Sequence, residues 1–148
     1  MRITPFILFL LIGICSAQVQ AQSSRFYAGL NSYLNSKYYD ASRQFGLAMQ
    51  DAEPKHKADI YYLDGMSQYF LRNYNQSLQN FDSAYSYYAQ YSPQAVYYSC
   101  EDLLRYRVMN YEKLGDVNSE IAVLKQMLAE NNNKWARDRL KSPRLGRK

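Results

Sequence analysis

The side chains that most often do chemistry are sparse in this chain of 148 residues. The single histidine, His56, stands in a polar stretch between Lys55 and Lys57, just after Pro54. A catalytic histidine needs an orienting partner and a nucleophile within reach, and a solvated link between helices supplies neither. We therefore predict no catalytic residue and no enzymatic activity.

The other reactive groups have structural interpretations. Glu101 and Asp102 are typical of a solvated helix face, and Asn75-Gln76-Ser77 fits a glycosylation sequon in which Ser77 also matches a repeated small packing residue. No Cys and His residues have the spacing of metal ligands, and no glycine-rich phosphate loop is present. We predict no metal and no cofactor.

The N-terminus is typical of an export signal. Arg2 precedes an apolar run from Phe6 to Ile14, and a small-residue cleavage pattern ends at Ala21. Residues 1–21 are therefore predicted to be a signal peptide, with Ala17 as the second cleavage candidate. The exported protein is periplasmic if the source is a double-membrane bacterium and secreted otherwise.

Cleavage after Ala21 leaves Cys100 as the only cysteine of the mature chain. No internal disulfide is then available, so the fold must be stabilised by packing alone. We interpret Cys100 as a small, buried residue on a helix rather than a reactive thiol.

The segment from Gly29 to Ala48 recurs from Gly65 to Ala84. A period of this size indicates stacked helical hairpins, none of which can bury its apolar face alone. Seven pairs share one offset of 36 residues: Gly29 and Gly65, Tyr33 and Tyr69, Leu34 and Phe70, Tyr38 and Tyr74, Ala41 and Ser77, Phe45 and Phe81, Ala48 and Ala84.

Apolar spacing and turn residues predict seven helices. Ser23 or Ser24 caps the first, and the others are predicted at Tyr39 to Glu53, Ala58 to Leu71, Asn75 to Gln90, Pro93 to Leu114, Asn118 to Glu130 and Lys134 to Lys141.

The third hairpin is a divergent copy, offset by 43 residues from the second when the turns at Gly115 and Arg72 are aligned. Val108 stands where glycine is expected, and Glu120 replaces the small residue. The longer offset predicts that the fourth and fifth helices overhang the stack. That overhang would carry Tyr87, Tyr88, Tyr91, Tyr97 and Tyr98.

The pattern of glycine, Tyr, small residue, aromatic and alanine resembles the tetratricopeptide repeat (TPR) from Arg25 to Glu130. The period and the Pro54 to Ala58 link are similar to repeats of exported bacterial envelope proteins. The resemblance implies an all-α fold, a right-handed solenoid of antiparallel helix pairs, with about three hairpins and a C-terminal capping helix that carries Trp135. The repeat domain is expected at 22–141, followed by a basic flexible tail at 142–148.

The resemblance further implies that the first helices of the hairpins line a concave groove for a partner protein or peptide. Arg105 is the only cation expected in that groove, so we expect an apolar or extended segment rather than a clamped carboxylate. Tyr62 and Met66 are the favoured candidates, with burial in the core as the alternative. The full set is Phe26, Leu30, Tyr33, Tyr62, Met66, Tyr69, Arg105, Met109 and Glu112.

The positive charge is concentrated at the C-terminus. Gln22 to Asn133 carries ten Lys and Arg against twelve Asp and Glu, whereas Lys134 to Lys148 carries seven against one. Such an end can contact anionic lipid or an acidic partner, or remain a solvated tail. Nucleic acid is not expected as a partner of an exported protein.

These features predict a non-catalytic exported scaffold that binds a partner through an aromatic groove. Two alternatives remain open. The protein could self-associate as a structural envelope component through the overhang and Trp135, or it could lie at a membrane through its basic C-terminus.

Overall fold

The chain is all-helical in the part that the structure describes. The computed structural model describes residues 24–91 and 97–145, and the predicted signal peptide lies outside them. These residues form seven helices and no strand. They are α1 (24–34), α2 (Tyr38–Asp51), α3 (Pro54–Phe70), α4 (Tyr74–Tyr91), α5 (Cys100–Leu114), α6 (Val117–Asn131) and α7 (Lys134–Leu140).

Two helix starts differ from the sequence-based prediction by more than one residue. Helix α3 begins at Pro54, earlier than predicted, because proline is well suited to the first turn of a helix. His56 therefore lies in that first turn and not in a link. Helix α5 begins at Cys100 rather than Pro93, because Ser99 and Asp102 form a capping box there.

The same turn closes all three hairpins. Ser36, Arg72 and Gly115 adopt left-handed backbone angles, with φ of 59°, 64° and 73°. In each turn the next residue donates its backbone N–H to the carbonyl five positions back, as Lys37 does to Ser32 at 2.9 Å. This is the Schellman arrangement, which satisfies carbonyls at the helix end.

Glycine and phenylalanine hold the first two hairpins together. A Cβ on Gly29 would lie 2.7 Å from Phe45, and a Cβ on Gly65 would lie 3.0 Å from Phe81. Both phenylalanines are fully buried. The two glycines therefore allow a close helix approach at repeat-equivalent positions. Ser77 is also fully buried, and its hydroxyl donates to the Gly65 carbonyl at 2.8 Å, which supports the packing interpretation of Ser77.

Two apolar clusters form the core. The first joins the helices of the first two hairpins and extends to Tyr98 and Leu103. The second joins α5, α6 and α7 and includes Leu145. Among α2 to α7, each helix packs mainly against its neighbours in sequence. The clusters therefore follow the chain from one hairpin to the next.

The predicted overhang of the fourth and fifth helices is wrong for its described C-terminal part. Residues 97–99 are not helical. Instead, Tyr97 packs on Phe26 of α1, and Tyr98 packs on Tyr62 of α3. The segment thus folds back onto the first two hairpins instead of projecting beyond them.

Candidate partner-binding face

The nine predicted groove residues lie on α1, α3 and α5, and we call this set the inner face. They form three rows of repeat-equivalent positions. The upper row is Phe26, Tyr62 and Arg105, the middle row is Leu30, Met66 and Met109, and the lower row is Tyr33, Tyr69 and Glu112.

Each residue of the upper row contacts an aromatic side chain from elsewhere in the chain. The Tyr97 ring lies 5.7 Å from the ring of Phe26, and the Tyr98 ring stacks on Tyr62 at 4.3 Å. The guanidinium of Arg105, the third residue of the row, lies over the Trp135 ring at 5.1 Å. The upper row is therefore covered along its length.

The preference for Tyr62 and Met66 as accessible groove residues is wrong in this conformation. Each exposes only 7% of its surface. Tyr62 is enclosed by the rings of Phe81, Tyr98 and Tyr106. Both side chains belong to the first core cluster, so the alternative interpretation, burial in the core, describes them.

The rest of the middle row is only partly covered. Leu30 is half-buried and packs against the first core cluster, and Met109 is also half-buried. These two side chains bracket the buried Met66 on the neighbouring first helices. The middle row is thus apolar throughout, with its accessible surface at the two ends.

The lower row is half-buried and stays accessible. Tyr33 contacts Tyr38 and Phe70, and the Phe70 ring stacks on Tyr38 at 4.6 Å. Phe70 exposes 45% of its surface. Burial raises the pKa of Tyr33 to about 12, with smaller contributions from Tyr106 and Tyr38. The row therefore begins with a neutral aromatic surface at α1 and α2.

Charged groups take over where the lower row reaches α5. Burial raises the pKa of Tyr69, and the nearby carboxylate of Glu112 raises it further while Arg139 opposes this. Glu112 forms an ion pair with Arg139 of α7. The inner face thus changes from aromatic to charged along the array.

A surface pocket of about 310 Å³ lies beside Glu112. Trp135 forms one wall, with the guanidinium of Arg105 and that of Arg139 both over its ring. Arg105 also donates to Glu101 at 2.6 Å. The remaining lining residues are Asp138, Arg139, Ser142 and Arg144. The prediction that Arg105 is the only cation of the groove is therefore wrong, because Arg139 of α7 and Arg144, which follows α7, lie beside the same pocket.

Glu120 binds the C-terminal segment to the third hairpin. It stands at the position of Ala41 and Ser77 and is fully buried. Arg144 pairs with it, and Arg139 Nε donates to its Oε1 at 3.3 Å. A buried carboxylate requires such partners. Glu120 departs from the repeat pattern, and its buried charge is thus neutralised by arginines that follow the third hairpin.

The tail predicted at 142–148 is packed in its described part. Leu145 is buried in the second core cluster, and Arg144 is held by Glu120. The flexibility prediction remains for 146–148, which lie outside the described residues. Part of the basic charge at the C-terminus is therefore used within the molecule.

Sequence reasoning missed Tyr98, Arg139 and Arg144 as residues of this region. A glutamate at the small-residue position 120, together with a basic C-terminus, indicated that the two arginines pair with Glu120. The capping box of Ser99 and Asp102 was a signal that Tyr97 and Tyr98 precede the helix.

Cys100 is a free thiol, and it is half-buried. Burial raises the pKa of the Cys100 thiol, which disfavours the nucleophilic thiolate. Among residues 24–91 and 97–145, no group of three or more His, Cys, Asp or Glu side chains is arranged to hold a metal ion. Over the same residues, no helix combines the length and apolar character needed to cross a membrane.

No protein-family model matches this chain, and no curated protein matches it either.

Proposed function

We propose that this chain is a non-catalytic helical-repeat scaffold that holds a protein or peptide partner on its inner face. The proposed architecture is a right-handed solenoid of three TPR-like hairpins closed by α7. The identical turns at Ser36, Arg72 and Gly115 support it, as does the repeated contact of glycine with phenylalanine. Export through residues 1–21 is part of the proposal.

One observation carries the proposal: a series of ring contacts links the lower-row tyrosines of α1 and α3 to each other and to Tyr106 of α5. Ring contacts connect Tyr33 to Phe70, Phe70 to Tyr69 and Tyr69 to Tyr106. Partly exposed tyrosines suit recognition, because each offers a large apolar ring and a polar end. The row thus provides, for an apolar or aromatic segment, a surface that is aromatic along α1 and α3.

Site-specific photo-cross-linking in the source cells tests this function. A photoreactive phenylalanine analogue is placed at Tyr69, on the inner face, or at Tyr39, which exposes 73% of its surface on α2. We expect one partner protein to cross-link at Tyr69 and not at Tyr39. Equal products at both sites, or none at either, would reject the inner face as the partner site.

Self-association is a second candidate, and two exposed apolar side chains of α1 favour it. Tyr27 and Leu34 expose 61% and 71% of their surfaces. Their repeat equivalents are the buried Leu63 and the stacked Phe70. The first hairpin therefore exposes, at Tyr27, a position that is buried in the second hairpin, whereas Phe70 still exposes 45% of its surface.

Sedimentation at increasing concentration tests this second candidate. Self-association through α1 is expected to be lost in Tyr27→Ser, Leu34→Ser and retained in Tyr39→Ser. A monomer at all concentrations would remove it.

The membrane-peripheral alternative remains a prediction, although Arg139 and Arg144 are engaged in ion pairs within the chain. It requires salt-sensitive binding to anionic vesicles that is lost on deleting 142–148.

A further inference from the structure

Two consecutive tyrosines occupy two equivalent positions of the inner face. Phe26 and Tyr62 are separated by the repeat period, and Tyr97 and Tyr98 each contact one of them. The Tyr98 ring lies between Tyr62, at 4.3 Å, and Tyr88, at 5.8 Å. Only 8% of the surface of Tyr98 is exposed. Each of the first two hairpins therefore receives one ring.

These rings are delivered by backbone outside the helices. Residues 97–99 are not helical, and Ser99 is extended, with φ of −106° and ψ of 166°. Helix α5 starts only after it, at Cys100. A short non-helical segment thus lies on helices α1 and α3 in the way a bound peptide would.

The occupant does not fit perfectly. The hydroxyl of Tyr98 is buried, and no hydrogen bond to it is present among the described residues. A buried hydroxyl without a partner opposes binding, because it loses its hydrogen bond to water. A phenyl ring at this position avoids that loss. A peptide that places phenylalanine at this position is therefore expected to bind the site more favourably than the chain's own segment does.

We propose that the upper row is a receptor for an extended segment with two consecutive aromatic side chains, and that Tyr97 and Tyr98 occupy it until such a segment displaces them. This inference rests on the proposed function, in which the partner lies on the inner face, and it defines the chemistry of the part of the partner that contacts the upper row. The second aromatic residue is preferably phenylalanine. Pairing of one ring with each hairpin explains why the two aromatic residues must be adjacent.

Peptide binding to the mature chain tests the inference. The probes are fluorophore-labelled peptides in which Tyr-Phe-Ser, Tyr-Tyr-Ser or Ser-Ser-Ser is flanked by glycines. The vacated variant is Tyr97→Ser, Tyr98→Ser, and the matched control is Tyr39→Ser, Tyr91→Ser, which changes two exposed tyrosines.

We expect the vacated variant to bind the Tyr-Phe peptide at least tenfold more tightly than wild type or the control. The Tyr-Tyr peptide is expected to bind more weakly, and the serine peptide not at all. A folded vacated variant that binds no aromatic peptide overturns the inference. Equal affinity for wild type and the vacated variant also overturns it.

If the vacated variant does not fold, Tyr98→Phe tests the inference instead. This variant keeps the stacked ring and removes the unpaired hydroxyl, so the internal segment is held more firmly. We expect a higher melting temperature and weaker binding of the Tyr-Phe peptide than in wild type. A lower melting temperature, or unchanged peptide binding, would overturn the inference.

The outcomes of the peptide experiment and of the cross-linking experiment are independent of each other. Cross-linking at Tyr69 without peptide binding removes the receptor chemistry and leaves the scaffold function. Peptide binding without a cellular cross-link leaves the receptor and removes the scaffold function as proposed.

Discussion

Phe81 lies directly against the backbone of Gly65, where a Cβ would approach its Cε1 to 3.0 Å. Phe81 is fully buried and is flanked by the rings of Tyr62 and Tyr106. It therefore cannot move aside without disturbing its neighbours. Gly65→Leu is expected to destabilise the protein by about 1 to 3 kcal/mol through overpacking, as measured by urea unfolding.

Gly46 provides the matched control for that substitution. It is also inside a helix, but a Cβ there would have nothing within 4 Å. Gly46→Leu is expected to stabilise the fold by roughly 0.5 kcal/mol, because leucine has a higher helix propensity than glycine. Unchanged stability of Gly65→Leu would contradict the packing role of Gly65.

Removal of both arginines that pair with Glu120 is expected to destabilise the third hairpin. Arg139→Ala, Arg144→Ala leaves a buried carboxylate without its guanidinium partners. We expect a loss of roughly 3 to 5 kcal/mol in the free energy of unfolding. Denaturant unfolding followed by circular dichroism measures it.

Glu120→Ala is the control, because alanine stands at this position in the first hairpin. Added to the double arginine variant, it is expected to restore much of the lost stability, since it removes the unpaired charge. If the three substitutions are simply additive, Glu120 is not the group that the arginines neutralise.

Truncation of Tyr62 and Met66 is expected to unfold the protein rather than open a groove. Both are buried in the first core cluster. Tyr62→Ala, Met66→Ala is expected to cost at least about 3 kcal/mol, because large side chains are removed from a packed core. Thermal unfolding checks this, with Tyr27→Ala, Leu34→Ala as the exposed control. Similar melting of the two variants would indicate that Tyr62 and Met66 are accessible.

Alkaline pH is expected to destabilise the fold. Burial raises the pKa of Tyr33 from 10.0 to about 12 and also raises the pKa of Tyr69 and Tyr106. The folded state therefore favours the neutral phenols. This contribution to stability is complete below pH 10.0 and is lost as the pH rises towards about 12.

Unfolding free energies measured across this pH range, together with tyrosinate absorbance, check the prediction. Tyr33→Phe is expected to reduce the pH dependence, because it removes a phenol whose pKa is raised to about 12 in the folded state. A flat stability profile across the range would contradict it.

The repeated local features were predictable from the sequence. The alignment of Ser36, Arg72 and Gly115 identified three equivalent turns, and the structure gives all three the same left-handed geometry. Such turns depend on a few adjacent residues, so the sequence signal is local. The positions of Gly29 and Gly65 were predictable for a related reason, since each recurs with its partner phenylalanine.

The contacts of Tyr97 and Tyr98 with the upper row of the inner face were not predictable. Helical periodicity placed Phe26, Tyr62 and Arg105 in one row, but periodicity contains no information about a non-helical segment. The path of Tyr97 and Tyr98 depends on contacts with residues distant in sequence. Likewise, Glu120 was recognisable as a departure from the repeat, but its pairing with Arg139 depends on the orientation of α7.

Glu120 is synthesised before the residues that neutralise it. Arg139 and Arg144 follow it by 19 and 24 positions. A growing chain can bury the first core cluster while the third hairpin still lacks its ion-pair partners. A product that ends before Arg139 keeps an unpaired carboxylate and lacks Leu145 from the second cluster. Incomplete chains are therefore locally unstable. Proteases and chaperones select their substrates by this instability.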